Sequence, residues 1–499
     1  MVARAAARGP ALLQLDGESV EEALARLAAD PGVEYAEPNL YVRAAWTTPS
    51  DPMYSWQWGM DRVSAPLAWD SKAQLKGGAK VCIVDTGVDC AHPDLAGNCA
   101  AGANMVAAGV SYFGLGAAVD NHGHGTAVAG VVGASGNNGA GVAGVAWRPS
   151  IYACKFMDRT GVGTTFGALR CLDWCIAQGT AVSVNAWGVE MSALAPGSEV
   201  WASTNALRER LLRTPSEAWS GGVAAGVPPA PLGVLQRPRQ AAASMVSEPP
   251  PPPPTLPAGH LFVAPAGNAG QELSDDPASD FLFYPAMFRG VPNLLVVTAS
   301  NAADALVRYP LPPRKPASSY VDEADLDGDR AAPGSANWGP TYVEIAAPGE
   351  YIVTTAPQSG AGGLASEFFV FVFGGVAPVP TLAGTRAPLE PGASSDPAPA
   401  LPLPRPLRPR PTGYQNVSGT SIASAFAGGA AVLLLSAAGG SFGRDAGSFR
   451  DAAELKAAIL KGADAIPALA PHVAGGVSRL CLLPLPLLQE AAAAGGLLL

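Results

Sequence analysis

Four short stretches of this chain hold residue types that could carry out nucleophilic chemistry. In Val81-Cys-Ile-Val-Asp85-Thr-Gly87 an apolar run ends in a carboxylate and a glycine turn. In Asn121-His122-Gly123-His124-Gly125-Thr126 two histidines are enclosed by glycines at the mouth of a small-residue helix, and an imidazole can shuttle protons near neutral pH. Val263-Ala-Pro-Ala-Gly267-Asn268 ends another run in an amide that could donate an N–H to an oxyanion. Gly419-Thr420-Ser421 opens a long apolar helix, where a serine is either a cap or a nucleophile placed beside exposed N–H groups. Each stretch has a plain alternative: a capping acid, a surface histidine, a turn asparagine, a capping serine. Their joint occurrence in the order Asp, His, Asn, Ser is what carries weight.

These residues need a scaffold, and the hydrophobic pattern supplies one. Val81–Val84, Ser150–Cys154, Thr180–Val184, Leu261–Ala264, Leu294–Thr298 and Tyr342–Ala346 are short continuous apolar runs alternating with helical stretches. That rhythm predicts an α/β fold whose parallel strands are covered on both faces, with ligands at the strands' carboxyl ends. Helices are expected over 421–437 and 451–461. Residues 411–443 carry no charge, and Ile422–Gly440 is long enough to span a bilayer. Its Ala, Gly and Ser content predicts instead a helix packed tightly inside a core, so no membrane partner is expected. Near the N-terminus, residues 12–43 read as a strand (Ala11–Leu15), a helix (Glu18–Ala29, with Val20, Leu24 and Leu27 at helical spacing) and a strand (Val33–Tyr35). Residues 215–258, with six prolines at Pro249–Pro254, and 376–413, with Arg405, Arg408 and Arg410 among prolines, read as exposed low-complexity insertions.

Composition narrows the class further. The chain has 499 residues, 48% of them apolar, which is ample for a large core, and 31 Lys+Arg against 41 Asp+Glu give a net charge of −10. An acidic chain without a basic stripe is not expected to bind nucleic acid. Met1–Arg8 is followed by no apolar segment of the kind a signal peptide has. Seven cysteines leave at least one unpaired in a monomer. Cys90 and Cys99 flank a short turn, as a disulfide or as two thiols, and Cys171 and Cys175 fall on one face of a helix. Asp322–Asp329 does not meet the EF-hand pattern and reads as a solvated loop.

Taken in order, the motifs Asp85-Thr-Gly with His92-Pro-Asp94-Leu, His124-Gly-Thr, Ala266-Gly-Asn268 and Gly419-Thr-Ser421-Ile-Ala resemble those of subtilisin-like serine proteases, the subtilase family. Ser335-Ala-Asn337-Trp-Gly339 and Ala347-Pro-Gly349 agree. The resemblance covers about 51–200, 258–300, 333–358 and 413–480. It implies a three-layer α/β fold with a mostly parallel central sheet over 51–480, a tail at 481–499, and a serine endopeptidase acting on polypeptides as a monomer. It further implies Ser421 as nucleophile, His124 rather than His122 as general base, Asp85 as the carboxylate orienting it, and Asn268 as oxyanion donor. Asn185-Ala186-Trp187-Gly188 is similar to the substrate-binding strand, with Ala186 where Ser is usual; Ala425-Phe426 replaces the usual Pro-His. Gly136–Gly144 is similar to the calcium loop, and Asp94, Asn138, Ala140 and Val142 would then hold a structural Ca²⁺; the chemistry itself needs no cofactor. Residues 12–43 resemble the second half of the family's inhibitory propeptide, so residues 1–46 are expected to be a small α+β propeptide remnant and the enzyme's own partner. By that reading the true N-terminus lies upstream, and family habit favours a secreted protein. The competing reading is a catalytically silent scaffold that binds partners through the Pro-rich insertions.

Overall fold

In the computed structural model the described residues are 2–5, 9–12, 20–37, 47–70, 78–107, 111–192, 208, 259–275, 281–308, 335–358, 369–372, 375–378, 412–443, 448–476 and 479–482. The expectations for 215–258, for Asp322–Asp329 and for most of 376–413 fall outside them. The chain divides into two units, Met1–Trp46 and Thr47–Leu499.

The first unit is a three-stranded antiparallel sheet with one helix: β1 (Val2–Ala5), β2 (Gly9–Leu12), α1 (Val20–Ala28) and β3 (Val33–Glu37). Strand order is β2-β1-β3, so β1 is the central strand. This corrects the sequence reading, which began the unit at residue 12 and gave it two strands. Met1–Arg8 is rich in alanine, with two arginines, and has no run of β-branched or aromatic residues, so nothing in it advertises a strand. Helix α1 buries Ala23 and Leu27.

In the second unit, short helices α2 (Trp58–Arg62) and α3 (Ala65–Trp69) precede the sheet. The sheet holds β4 (Lys80–Asp85), β5 (Cys99–Asn104), β6 (Tyr112–Phe113), β7 (Ser150–Lys155), β8 (Val182–Val184), β10 (Leu261–Pro265), β12 (Leu294–Ser300) and β13 (Ile345–Pro348). Their order is β13-β12-β10-β8-β4-β7-β5-β6, parallel throughout except for β6. Strand β13 begins three residues later than the apolar run suggested. Tyr342 and Val343 are buried instead in a turn, their N–H groups on the carbonyl of Gly339.

From β4 the chain builds β5 to β7 on one side and β8 to β13 on the other, so β4 lies at a topological switch point. Parallel sheets place their ligand crevice there, at the carboxyl ends of the strands. Outside the sheet, β9 (Val189–Ser192) pairs with β11 (Phe281–Tyr284), and β14 (Ile352–Thr355), β15 (Phe369–Val372), β16 (Gly375–Pro378) and β17 (Tyr414–Ser418) form a second sheet in the order β14-β17-β15-β16.

The sheet is flanked by α4 (His124–Gly133), α5 (Thr165–Ala177), α6 (Thr420–Ala437) and α7 (Ala452–Lys461). Every residue of α6 is buried, as its composition predicts. A Cβ on Gly428 would lie 2.3 Å from Val184 Cγ2, and one on Gly429 2.7 Å from Val145 Cβ, so the helix approaches its neighbours more closely than larger residues permit. Phe426, in place of the usual His, is buried, its Cζ 2.7 Å from where a Cβ on Gly59 would stand. Cys481 and Leu482, assigned by sequence to a tail, are buried, and the Leu482 N–H bonds the carbonyl of Val63.

Three disulfides join Cys82 to Cys175, Cys90 to Cys99 and Cys154 to Cys171. Cys171 and Cys175 do share a face of α5, and each is tied to a different one of the adjacent strands β7 and β4. The Cys82–Cys175 link spans 93 residues and the Cys90–Cys99 link 9. Chain entropy then predicts a loss of about 4–5 kcal/mol for Cys82→Ala/Cys175→Ala against about 2–3 kcal/mol for Cys90→Ala/Cys99→Ala. Denaturant unfolding checks this; equal losses would show that loop length does not govern them.

Candidate active site

Asp85, the last residue of β4, is fully buried. Its Oδ1 accepts a 2.7 Å bond from the Thr86 N–H and another of 2.7 Å from His124 Nδ1. Because a carboxylate only accepts, His124 carries its proton on Nδ1 and leaves Nε2 as the basic nitrogen. Burial works against a charged His124 ring, but the Asp85 carboxylate and its hydrogen bond outweigh it, leaving the pKa above the ordinary 6.5. His122 does not compete for Asp85. Its ring stands 6.4 Å from that of His124, and burial, then the neighbouring imidazole, hold its pKa below the ordinary value.

Helix α4 can begin at His124 only because Gly125 follows. A Cβ there would lie 2.1 Å from the Gly87 carbonyl oxygen and 3.0 Å from Asp85 Cβ. The approach is fixed by Asp120, a carboxylate the sequence reading missed. Its Oδ1 accepts from Thr86 Oγ1 and from the N–H groups of His122 and Gly123; its Oδ2 accepts from the N–H and hydroxyl of Thr126. Lys155, also unforeseen, is 5% exposed and donates from Nζ to the carbonyls of Thr86 and Met157 and to Asn121 Oδ1. A lone acid four residues before a histidine, and a lysine ending an apolar strand, were the available signals. Neither spacing identifies a partner.

Ser421 lies in the first turn of α6, which packs against α4, and its hydroxyl donates to the Ala186 carbonyl at 3.1 Å. Asn268 follows β10. Its Oδ1 accepts from the Thr420 N–H at 2.9 Å and the Thr420 hydroxyl at 3.1 Å. With the oxygen so held, the amide Nδ2 stands 3.4 Å from where a Cβ on Gly419 would be, beside the turn that bears Ser421. Asn337 clamps this loop: it donates to the Ala266 carbonyl and accepts the N–H groups of Ala269 and Gln271, each at 2.9 Å. In the segment after β8, Ala186 and Trp187 are buried and Gly188 is partly exposed. The Trp187 ring packs on Phe156 and Phe262, so it is core, and only the backbone of this segment is available to a ligand.

Asp94 is fully buried and accepts from Asn138 Nδ2 and from the Val142 N–H. Asp51 is buried beside it, its Oδ2 taking the Asn137 N–H and its Oδ1 without a hydrogen-bond partner among the described residues. Burial, with the Asp94 charge adding to it, raises the Asp51 pKa. No group of three or more His, Cys, Asp or Glu side chains suited to a metal ion occurs among the described residues.

The family model for subtilases (peptidase S8) matches residues 76–476, and with them all four motifs. The chain belongs to the subtilase family. A second model, that of the fervidolysin N-terminal prodomain, matches residues 2–39. Over 147 residues this subtilase is 39% identical to the thermophilic serine proteinase of Bacillus sp. (strain AK1), covering 29% of this chain and 35% of that protein. It is 38% identical over 136 residues to thermitase of Thermoactinomyces vulgaris (27% and 46%), and 33% identical over 157 residues to subtilisin E of Bacillus subtilis (32% and 37%). The chain thus spans less than half the length of these relatives.

In this subtilase the Asn337 clamp makes a direct prediction. Asn337→Ala leaves one buried carbonyl and two part-buried N–H groups unpaired, at roughly 1–3 kcal/mol for a buried group and less for a part-buried one. We expect a loss of at least about 2 kcal/mol in denaturant unfolding, and an unchanged midpoint would remove Asn337 from its assigned role.

Proposed function

We propose that this subtilase is a serine endopeptidase that cleaves polypeptides through an acyl-enzyme. The observation that carries the reading is the buried 2.7 Å contact of His124 Nδ1 with Asp85. It is supported by the packing of α4, which begins at His124, against α6, whose first turn bears Ser421 and holds the Asn268 oxygen through Thr420. Substrate backbone would add as a strand along Ala186–Gly188. Ser421 Oγ then attacks the scissile carbonyl, and its proton passes to His124 Nε2. Asp85 keeps the imidazole in the tautomer that can accept it and stabilises the cation that forms. The oxyanion receives the Asn268 amide and the Ser421 backbone N–H at the start of α6. The protonated His124 returns its proton to the leaving amine, and water repeats the sequence to free the enzyme.

Family membership supports polypeptides as substrates, and the match to a prodomain supports residues 1–46 as the enzyme's own propeptide. Three disulfides suit an oxidising compartment. Among the described residues, the orphaned Asp51 Oδ1 and the paired burial of two carboxylates fit an oxygen-seeking cation. Asp94, Asn138 and the carbonyls of Ala140 and Val142, joined by Asp51, would hold Ca²⁺ and neutralise that buried charge.

A fluorophosphonate probe should label the wild-type protein at Ser421. Ser421→Ala should take no label and lose about 10⁶-fold in turnover, the scale of that loss in subtilisin. Because His124 must be neutral to accept a proton, activity should rise with pH through a midpoint above 6.5. A wild-type protein that takes no label would make the silent-scaffold reading the better one.

Calcium has its own readout. Added Ca²⁺ should raise the melting temperature over that in chelator by several degrees, and by less in Asp51→Ala. Equal melting temperatures with and without Ca²⁺ would mean that the loop is held by its hydrogen bonds alone.

A further inference from the structure

Strand β8 ends at Val184, and the chain bends before it reaches Ser421. Asn185 keeps one bond to the sheet, from its N–H to the Val263 carbonyl of β10 at 2.9 Å. Two residues on, the Trp187 N–H turns back onto the Asn185 carbonyl at 2.8 Å. A bond across so short a span is a three-residue turn, and it leaves the Ala186 carbonyl outside the ladder. That carbonyl accepts the Ser421 hydroxyl at 3.1 Å. One rotatable bond decides where a serine Oγ stands, so the direction of this carbonyl bears on the place of Ser421 Oγ.

Under the bend runs a chain of polar side chains. Asn185 Nδ2 donates to Ser183 Oγ at 2.8 Å and to the Ser183 carbonyl at 3.2 Å. His260 stands 2.8 Å from Ser183 Oγ through Nε2, and 2.8 Å from the Thr180 carbonyl through Nδ1. Because a carbonyl only accepts, Nδ1 carries the ring proton, Nε2 accepts, and the Ser183 proton is committed to His260. Burial lowers the His260 pKa to about 4, so at neutral pH the ring is uncharged and keeps that acceptor. The Asn185 amide then has one orientation. Reversed, its Oδ1 would face a carbonyl and a hydroxyl oxygen with no proton to offer. Donation thus runs one way, from Asn185 to Ser183 to His260 to Thr180, and the first three residues are all 0% exposed.

This arrangement is costly. Asn185 Oδ1 is buried with no hydrogen-bond partner among the described residues. An orphaned acceptor lowers stability, and an apolar side chain of the same size would not carry one. The amide therefore serves something other than the packing of the core. We propose that Asn185 is a positioning residue for Ser421: anchored through Ser183 to His260, it fixes the bend that holds the Ala186 carbonyl against the Ser421 hydroxyl. This rests on the endopeptidase reading of the same site.

The test compares the full chain with its Asn185→Leu and Ser183→Ala variants. The probe is a small dialkyl fluorophosphonate, which has no peptide backbone to lie along Ala186–Gly188. Labelling stoichiometry counts folded sites, and the labelling rate reads the reactivity of Ser421. Asn185→Leu should label to completion but about tenfold or more slowly than wild type, with kcat on a peptide substrate lowered by the same factor. Its unfolding midpoint should be no lower than that of wild type. Ser183→Ala should slow labelling in the same direction by less, since the Asn185 bond to the Ser183 carbonyl survives. Combined, the two should slow labelling no further than Asn185→Leu alone, because both cut one chain. Wild-type labelling rates at full stoichiometry in both variants would overturn the proposal, whatever their stability. A raised KM at an unchanged labelling rate would also overturn it, by assigning the bend to substrate backbone alone. Absence of labelling in wild type would overturn the endopeptidase reading and this inference with it. Where Asn185→Leu does not fold, Ser183→Ala, which removes a single oxygen, decides.

Discussion

Everything at this site depends on how closely the first turn of α4 comes to the turn that follows β4. Gly125 abuts the Gly87 carbonyl at a separation that no side chain would tolerate, and only at that separation does His124 Nδ1 reach Asp85 Oδ1. Two backbone segments pressed together in this way need their polar groups satisfied from within. Asp120 does so with five hydrogen bonds, three of them to backbone N–H groups. Those bonds fix a buried carboxylate in place and also position the loop that delivers the histidine.

The same contact concentrates negative charge, with Asp85 and Asp120 both within the protein and almost without solvent. Lys155 supplies a buried cation nearby, and burial holds its pKa below the ordinary value even though Asp120 and Asp85 draw it up. Its three acceptors are neutral oxygens, two of them backbone carbonyls. It therefore balances the field around the histidine without forming an ion pair that would compete with His124 for Asp85.

Rigidity behind the site comes from two different sources. On the side of β8 to β13, α6 is held by close packing of glycine and alanine against strands and α4, which fixes the first turn that bears Ser421. On the side of β4 and β7, α5 is held covalently through Cys175 and Cys171. Asn268 and Ser421 are brought together by Thr420, whose N–H and hydroxyl both hold the Asn268 oxygen. The first turn of α6 thus orients the amide beside it.

Local chemistry and local periodicity were legible in the sequence. The continuous apolar runs marked β4, β7, β8, β10 and β12, because strands buried on both faces have no polar side to show. The small-residue composition marked α6 as a core helix. The motif order was enough to bring Asp85, His124, Asn268 and Ser421 to attention, because each requires particular neighbours in its own turn. What tertiary structure alone decided were relations between distant segments. Asp120, Lys155 and Asn337 act on loops that reach them only through strand order, and Cys82 meets Cys175 across 93 residues. Strand β1 was invisible because its pairing, and not its composition, makes it a strand. Asp51 joins Asp94 only after the chain has folded back. His260 reads in sequence as one more polar residue before a strand. Its meeting with Ser183, and through it with Asn185, follows from the pairing of β8 with β10, because side-chain neighbours across a sheet are set by register and not by distance along the chain.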